Sequence, residues 1–346
     1  MRIVPALVLI PVCLAGDTLT LQGQAPDTAQ VLAATYDALG GEKSLTLVKT
    51  FIATGRTRQI RGNNLVPIEF EISCELPDKF VRKDEIPAQD TDLTVTGFRG
   101  DELIQFPPPG PGRGGGPPPP PGAAPPGRGA ADAAPGAGRS GGSPPDGRGR
   151  GGPPMNPAQQ RLTTIKQDFA RLMLGVFPKS LATYPLAIKY AAEGEAPEGK
   201  ADVLDVTGPV NFAVRLVVQR DTHLPVMLMW QTPATVAIVR VPGQPAPDPL
   251  PPGAVVVDAP AAPANTASQA ERDEYATSVA ALRRQALAQA KPIDNRMYYA
   301  DYRSVNGIKW PFRIRRAIAG TTIEETTFDR VSVNVKIDPR KFEAPK

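Results

Sequence analysis

His223 is the only histidine in this 346-residue chain, and Cys13 and Cys74 are its only cysteines. Zinc and most transition-metal centres draw on several such ligands, so composition rules out a His/Cys metal cluster. A Cys–His dyad would need the one histidine to meet one of two cysteines. His223 falls in Asp221-Thr-His-Leu-Pro225, between two strand-like runs, and a turn histidine is the simpler reading. Paired carboxylates are the other common acid–base device. Glu69, Glu71 and Glu75 recur with one parity, and Glu324 and Glu325 are adjacent; both patterns suit solvated strand faces. No Gly-x-Ser-x-Gly elbow occurs. The glycines cluster among prolines, not between a strand and a helix as a phosphate loop requires. The expectation is a protein that is not an enzyme, with no catalytic residue, no metal and no cofactor.

The elements that would position any site are mostly strands. Val66, Ile68, Phe70, Ile72 and Cys74 alternate with Pro67, Glu69, Glu71, Ser73 and Glu75. Period two puts the apolar set on one face and the acidic set on the other, the pattern of an antiparallel sheet with one dry face. Further strands are expected at 50–61, 79–86, 93–99, 102–106, 186–192, 201–206, 212–220 and 224–231, with 235–241 continuing the sheet. Three more follow at 296–304, 308–318 and 321–335, and Asn306-Gly307 signals a hairpin. Three helices carry capping signatures: Asp27 with Gln30, Asn156 with Pro157 and Gln159, and Ser268 with Glu271. The last has a narrow apolar stripe, Tyr275, Val279, Leu282 and Ala286, and reads as a surface helix.

Composition divides the chain. Of the 51 residues from Pro107 to Pro157, 17 are Pro and 16 are Gly, too little apolar side chain to offset ordering entropy. A disordered insertion is expected at 107–155. A second, Pro-rich insertion carrying the surface helix is expected at 242–292. The β domain is then expected in three parts, 17–106, 156–241 and 293–346, leaving roughly 200–240 residues to build a core. At the N-terminus, Arg2 precedes an apolar run from Ile3 to Leu14, then Ala15 and Gly16. That run is too short to span a bilayer and reads as a signal peptide over 1–16. The expected location is periplasmic or secreted, with a lipoprotein anchor through Cys13 as the alternative. The net charge of +4 comes partly from Arg scattered in the insertion without aromatic residues, so no nucleic-acid partner is expected. A monomer is expected.

The order of elements also resembles a known family. The carriers of the resemblance are the helix ending in Gly40-Gly41, the turn before Leu224-Pro225, and the strand running into Gly307-Ile-Lys-Trp-Pro311. Val331-Ser-Val-Asn334 and Phe342-Glu-Ala-Pro345 close the pattern. Together these resemble the LolA-like periplasmic lipoprotein carriers and their outer-membrane lipoprotein-sorting relatives. The resemblance implies a mainly β (α+β) fold: a strongly curved antiparallel sheet forming an incomplete barrel, with helices covering the open side. It implies that a lipid or a lipoprotein acyl chain occupies an apolar cavity, which Val66, Ile68, Phe70 and Ile72 would line. The competing reading is an interaction or scaffold protein whose Pro/Gly insertion contacts another envelope protein or the cell wall.

Overall fold

A computed structural model describes residues 27–61, 64–87, 93–108, 156–178, 184–240, 245, 250–264 and 266–344. The expected signal segment at 1–16 and all but the first two residues of the expected 107–155 insertion lie outside the described residues.

The chain opens with α1 (Thr28–Ala38) and the short α2 (Glu42–Leu47). Five strands follow: β1 (Thr50–Arg61), β2 (Asn64–Glu75), β3 (Lys79–Glu85), β4 (Thr94–Arg99) and β5 (Glu102–Phe106). Helix α3 (Pro157–Leu174) leads into β6 (Ala187–Ala196), β7 (Gly199–Gly208), β8 (Phe212–Gln219) and β9 (Pro225–Thr232). Then come β10 (Ala237–Arg240), β11 (Val255–Asp258), α4 (Gln269–Gln289), β12 (Ile293–Val305), β13 (Ile308–Ile318) and β14 (Thr321–Val333). A 3₁₀ turn, Pro339–Phe342, closes the chain.

Twelve strands form one sheet, in the order β5-β4-β3-β2-β1-β14-β13-β12-β9-β8-β7-β6. Every described pairing in it is antiparallel. The last three strands sit in the middle: β14 pairs with β1 from Phe51↔Val333 to Gln59↔Glu324, and β12 pairs with β9. The stretches before and after 107–155 are therefore joined edge to edge only through the C-terminal strands. Among the described residues β5 and β6 remain unpaired on their outer sides, so the sheet is open.

Two expectations are corrected. The run at 235–241 does not continue the sheet; β10 pairs in parallel with β11 in a separate two-stranded sheet. Val255-Val256-Val257 supplies β-branched residues that fit a strand, but four residues between prolines give no readable period. The face opposite the core is also not uniformly wet. Ile337 and Phe342 fold back onto Val81, Val95 and Ile104 there, and Ala201, Val217 and Met227 form a second apolar patch. Helix α4 has no buried residue and rests on β10 and β11, as its narrow stripe suggests.

The core lies between the inner face of the sheet and the helices α1 and α3. Phe51 meets Trp310 edge-on at 5.0 Å, and Phe328 meets Phe70 at 5.4 Å and Trp310 at 6.1 Å. Asn156 caps α3: its side chain accepts from the Gln159 N–H (2.8 Å), and Gln159 returns the bond (3.2 Å). Phe169 of α3 packs on Phe80 and Phe98, at 4.9 and 5.4 Å. The C-terminal end of α3 is held by tyrosines of β12. The Tyr299 hydroxyl donates to the Arg171 carbonyl, and the single O–H of Tyr302 is shared between the carbonyls of Gly175 (2.7 Å) and Pro225 (2.8 Å). Gly175 makes this docking possible, because a Cβ there would lie 2.5 to 2.9 Å from the Tyr299 ring.

Candidate functional site

The inner face of the sheet changes character from one end to the other. On β3 the inward row runs Phe80, Arg82, Asp84; on β13 it runs Trp310, Phe312, Ile314, Arg316. On β14 it runs Phe328, Thr326, Glu324, and on β1 it ends Thr57, Gln59. Pairing aligns these rows, so that Arg316, Glu324, Gln59 and Val66 stand opposite one another across β13, β14, β1 and β2. The neighbouring row is Ile314, Thr326, Thr57 and Ile68. Strand β2 alone stays apolar to this end.

At the boundary between apolar and polar halves lies a hollow of about 240 Å³ between α3 and the sheet. Its apolar wall is Ile72, Phe80, Ile165, Phe169, Leu172, Met297, Ile314 and Phe328. Its polar wall includes Gln59, Arg82, Asp84, Asp168, Arg316, Glu324 and Thr326. Arg82 is the best-anchored of these. Its guanidinium donates to Asp84 Oδ1 (2.8 Å) and Thr57 Oγ1 (3.1 Å) and lies 4.8 Å above the Phe70 ring. Burial pulls its pKa down, but Asp84, Glu324 and Asp168 more than offset that, and the net shift is upward. Thr57 and Thr326 share a 2.9 Å hydroxyl contact. Arg171 donates to Asp168 (2.8 Å) and lies over the rings of Trp230 (4.6 Å) and Phe212 (5.4 Å).

The four residues singled out in the sequence sit together on β2. Ile68, Phe70 and Ile72 are buried, and Val66 is half-buried at the polar end. Ile72 lines the hollow, while Phe70 packs behind it against Phe328. His223 is exposed in the β8–β9 turn with a φ of 55°. Cys74 is fully buried, and that burial, with Glu75 and Asp78 nearby, drives its thiol pKa well above the usual value. On the opposite face Glu71 pairs with Lys341 (2.6 Å) and Glu75 with Lys79 (2.9 Å).

Sequence reasoning missed Arg82, Arg316 and Glu324. The pair Glu324-Glu325 reads as solvated, yet Glu324 points inward and is only 7% exposed, while Glu325 points outward toward Arg313 (3.4 Å). The signal that could have found it is parity: counting back in twos from Phe328 reaches Thr326 and Glu324. The same count from Ile314 reaches Arg316, and from Phe80 it reaches Arg82.

Two other hollows lie on the outer face. The larger, about 640 Å³, runs beside the C-terminal turn among the charged side chains Arg56, Glu69, Lys83, Glu85, Asp329 and Arg340. The smaller, about 290 Å³, lies between the β6–β7 turn and Tyr298, Arg313 and Arg315. Neither brings apolar wall and buried charge together, so the inner hollow is the candidate site.

No protein-family model and no curated protein matches the sequence. Among solved structures, the chain is similar to a LolA superfamily protein from Nitrosomonas europaea, at 9% identity and a TM-score of 0.43, over 92% of this chain and 98% of that one. It is similar to an outer membrane lipoprotein-sorting protein domain from Vibrio parahaemolyticus, at 7% identity and a TM-score of 0.40, over 90% and 94%. A DUF1329 family protein from Desulfovibrio piger matches at 8% identity and a TM-score of 0.37, over 90% and 96%. Two of the three carry the name of the family that the turn-and-strand pattern of the sequence resembles. At TM-scores below 0.5 these likenesses carry no argument about ligand or activity.

Proposed function

We propose that this chain is a non-enzymatic binding protein of the cell envelope, which holds the apolar chain of a lipid or acylated protein between α3 and the sheet. The observation that carries the reading is the inner hollow. Its wall of Ile72, Phe80, Phe169, Leu172, Met297, Ile314 and Phe328 is apolar on both the helix and the sheet sides, the wall type that binds apolar ligands. Val66, Ile68 and Phe70 share β2 with Ile72 but do not line this hollow; Phe70 lines the larger hollow on the outer face. The export signal read at 1–16 supports the location, and among the described residues no helix is long and apolar enough to cross a membrane.

The contacts of α3 support a sheet wrapped around it as an incomplete barrel. Phe169 touches β3 and β4, while Arg171, two residues on, lies over rings of β8 and β9. Five strands separate β3 from β9, a span of roughly 29 Å in a flat sheet with about 4.8 Å between neighbours. Residues two apart on a helix are about 3 Å apart along its axis. Curvature reconciles the two distances and makes α3 the plug of the concave side. At about 240 Å³ the hollow is smaller than most ligand pockets, which run from about 300 Å³ upward, so a long chain enters by displacing α3 outward.

The test is uptake of a fluorescent long-chain fatty acid by the purified protein and by Leu172→Trp. Leu172 is half-buried on α3 and faces the hollow, so an indole there fills the space without entering the sheet. Wild-type protein is expected to enhance probe fluorescence saturably, and the variant to lose at least about tenfold in affinity, roughly 1.4 kcal/mol. No saturable uptake by the wild type would refute the reading.

A further inference from the structure

The polar wall of the hollow is unevenly satisfied. Its three carboxylates all accept hydrogen bonds: Asp84 from Arg82 (2.8 Å), Asp168 from Arg171 (2.8 Å), and Glu324 from Thr326 (3.3 Å) and Gln59 (3.4 Å). The groups left over are donors. Among the described residues the Arg316 guanidinium makes no hydrogen bond, and its one ion pair, to Glu324 Oε2, is 4.0 Å long. Its side chain is 26% exposed, so it is neither solvated freely nor paired closely. The Nε of Arg171, on the helix side, is buried without a hydrogen-bond partner, and the residue is 9% exposed. Burial first, opposed by Asp168 and then reinforced by Arg316, pulls the Arg171 pKa below the ordinary guanidinium value. Arg316 lines the hollow, whereas Arg171 lies over the rings of Trp230 and Phe212 and is not part of its lining. A guanidinium stays charged at any physiological pH and offers a planar fork of donors that matches carboxylate and phosphate. Three carboxylates line this hollow, yet none of them closes on Arg316, which is left without a close partner.

We infer that the ligand is an amphiphile with an anionic oxygen head, carboxylate or phosphate, and that Arg316 receives that head while the chain lies along Ile72, Phe169 and Ile314. This rests on the reading that the hollow takes an apolar chain. It goes further, because a site that merely sequestered hydrocarbon would be indifferent to the head. The head replaces Glu324 as the close partner of Arg316, and Glu324 keeps Gln59 and Thr326.

The experiment compares three probes of matched chain length on the full protein: a fatty acid, the corresponding fatty alcohol and a lysophosphatidic acid. Each is measured by displacement of the same fluorescent probe against wild type, Arg316→Gln and Arg316→Lys. The wild type is expected to bind the anionic probes roughly tenfold tighter than the alcohol, the scale of one charge-assisted contact. Arg316→Gln should weaken both anionic probes far more than the alcohol and so erase that preference, and Arg316→Lys should restore part of it. The stronger of the two anionic probes separates a carboxylate from a phosphate source. Equal binding of acid and alcohol by the wild type overturns the inference and leaves the apolar reading standing. So does a loss in Arg316→Gln that is equal for all three probes. Failure of all three probes to bind overturns both.

Discussion

Arg82 shows how a charge can be kept inside an apolar wall. It is held by one carboxylate, one hydroxyl and one aromatic face, and its side chain is 23% exposed. Removing one member of such a set leaves the others desolvated and uncompensated, which costs more than the pair contributed. Arg82→Met should therefore destabilise the protein by about 2 kcal/mol, less than the 3–5 kcal/mol of a fully buried pair. The loss would be read as a lower urea midpoint with an unchanged slope. A variant as stable as wild type would mean that the cluster around Asp84 and Glu324 relaxes freely, and the polar wall would then be less ordered than described. None of this was visible in residue type alone. Arg82 and Arg316 look like surface arginines until strand parity is counted, and Glu324 looks like the twin of the outward Glu325.

At the scale of elements, α3 is held differently at its two ends. Its C-terminal end is fastened by buried tyrosine hydroxyls and by the close approach of Gly175 to Tyr299. Farther from that end its polar contacts reach only the exposed rim of the sheet, such as Lys166 to Asp101 at mid-helix (2.7 Å) and Arg161 to Gln105 (3.5 Å). A helix so mounted moves most easily at its N-terminal end, where exposed ion pairs contribute about 0–1 kcal/mol each. Gly175→Ala tests the fixed end. The added methyl meets the Tyr299 ring, and overpacking of this kind costs roughly 1–3 kcal/mol. A thermal melt should show the loss, and an unchanged melting temperature would mean that α3 is not docked tightly on β12. Much at this scale was legible. The caps at Asn156 and Ser268 and the run of β1 and β13 all follow from local chemistry and period. Strand β11 was not, because four residues carry no period, and β10, within the run expected at 235–241, has its partner set by packing. Nor could local signals place β14 between β1 and β13, since register across 270 residues of chain is a tertiary fact.

For the whole molecule, the central strands come from the two termini of the described chain. β1 and β14 pair from Phe51↔Val333 to Gln59↔Glu324, so the twelve-stranded sheet joins strands from both sides of 107–155. The C-terminal turn adds a second tie by burying Phe342 on the outer face of β3 to β5. The alternation of Val66 to Cys74 made a dry sheet face readable from the start; the filled aromatic centre and the charged end of that face depend on which strands become neighbours. The function proposed for the molecule requires that the inner hollow hold an apolar chain. The direct measurement is mass spectrometry of the organic extract of the protein purified, without detergent, from the cells that make it. A lipid or acyl species should be recovered in proportion to protein and lost in Leu172→Trp. Extracts that repeatedly contain no lipid, or contain the same lipid at the same level in both proteins, would contradict it.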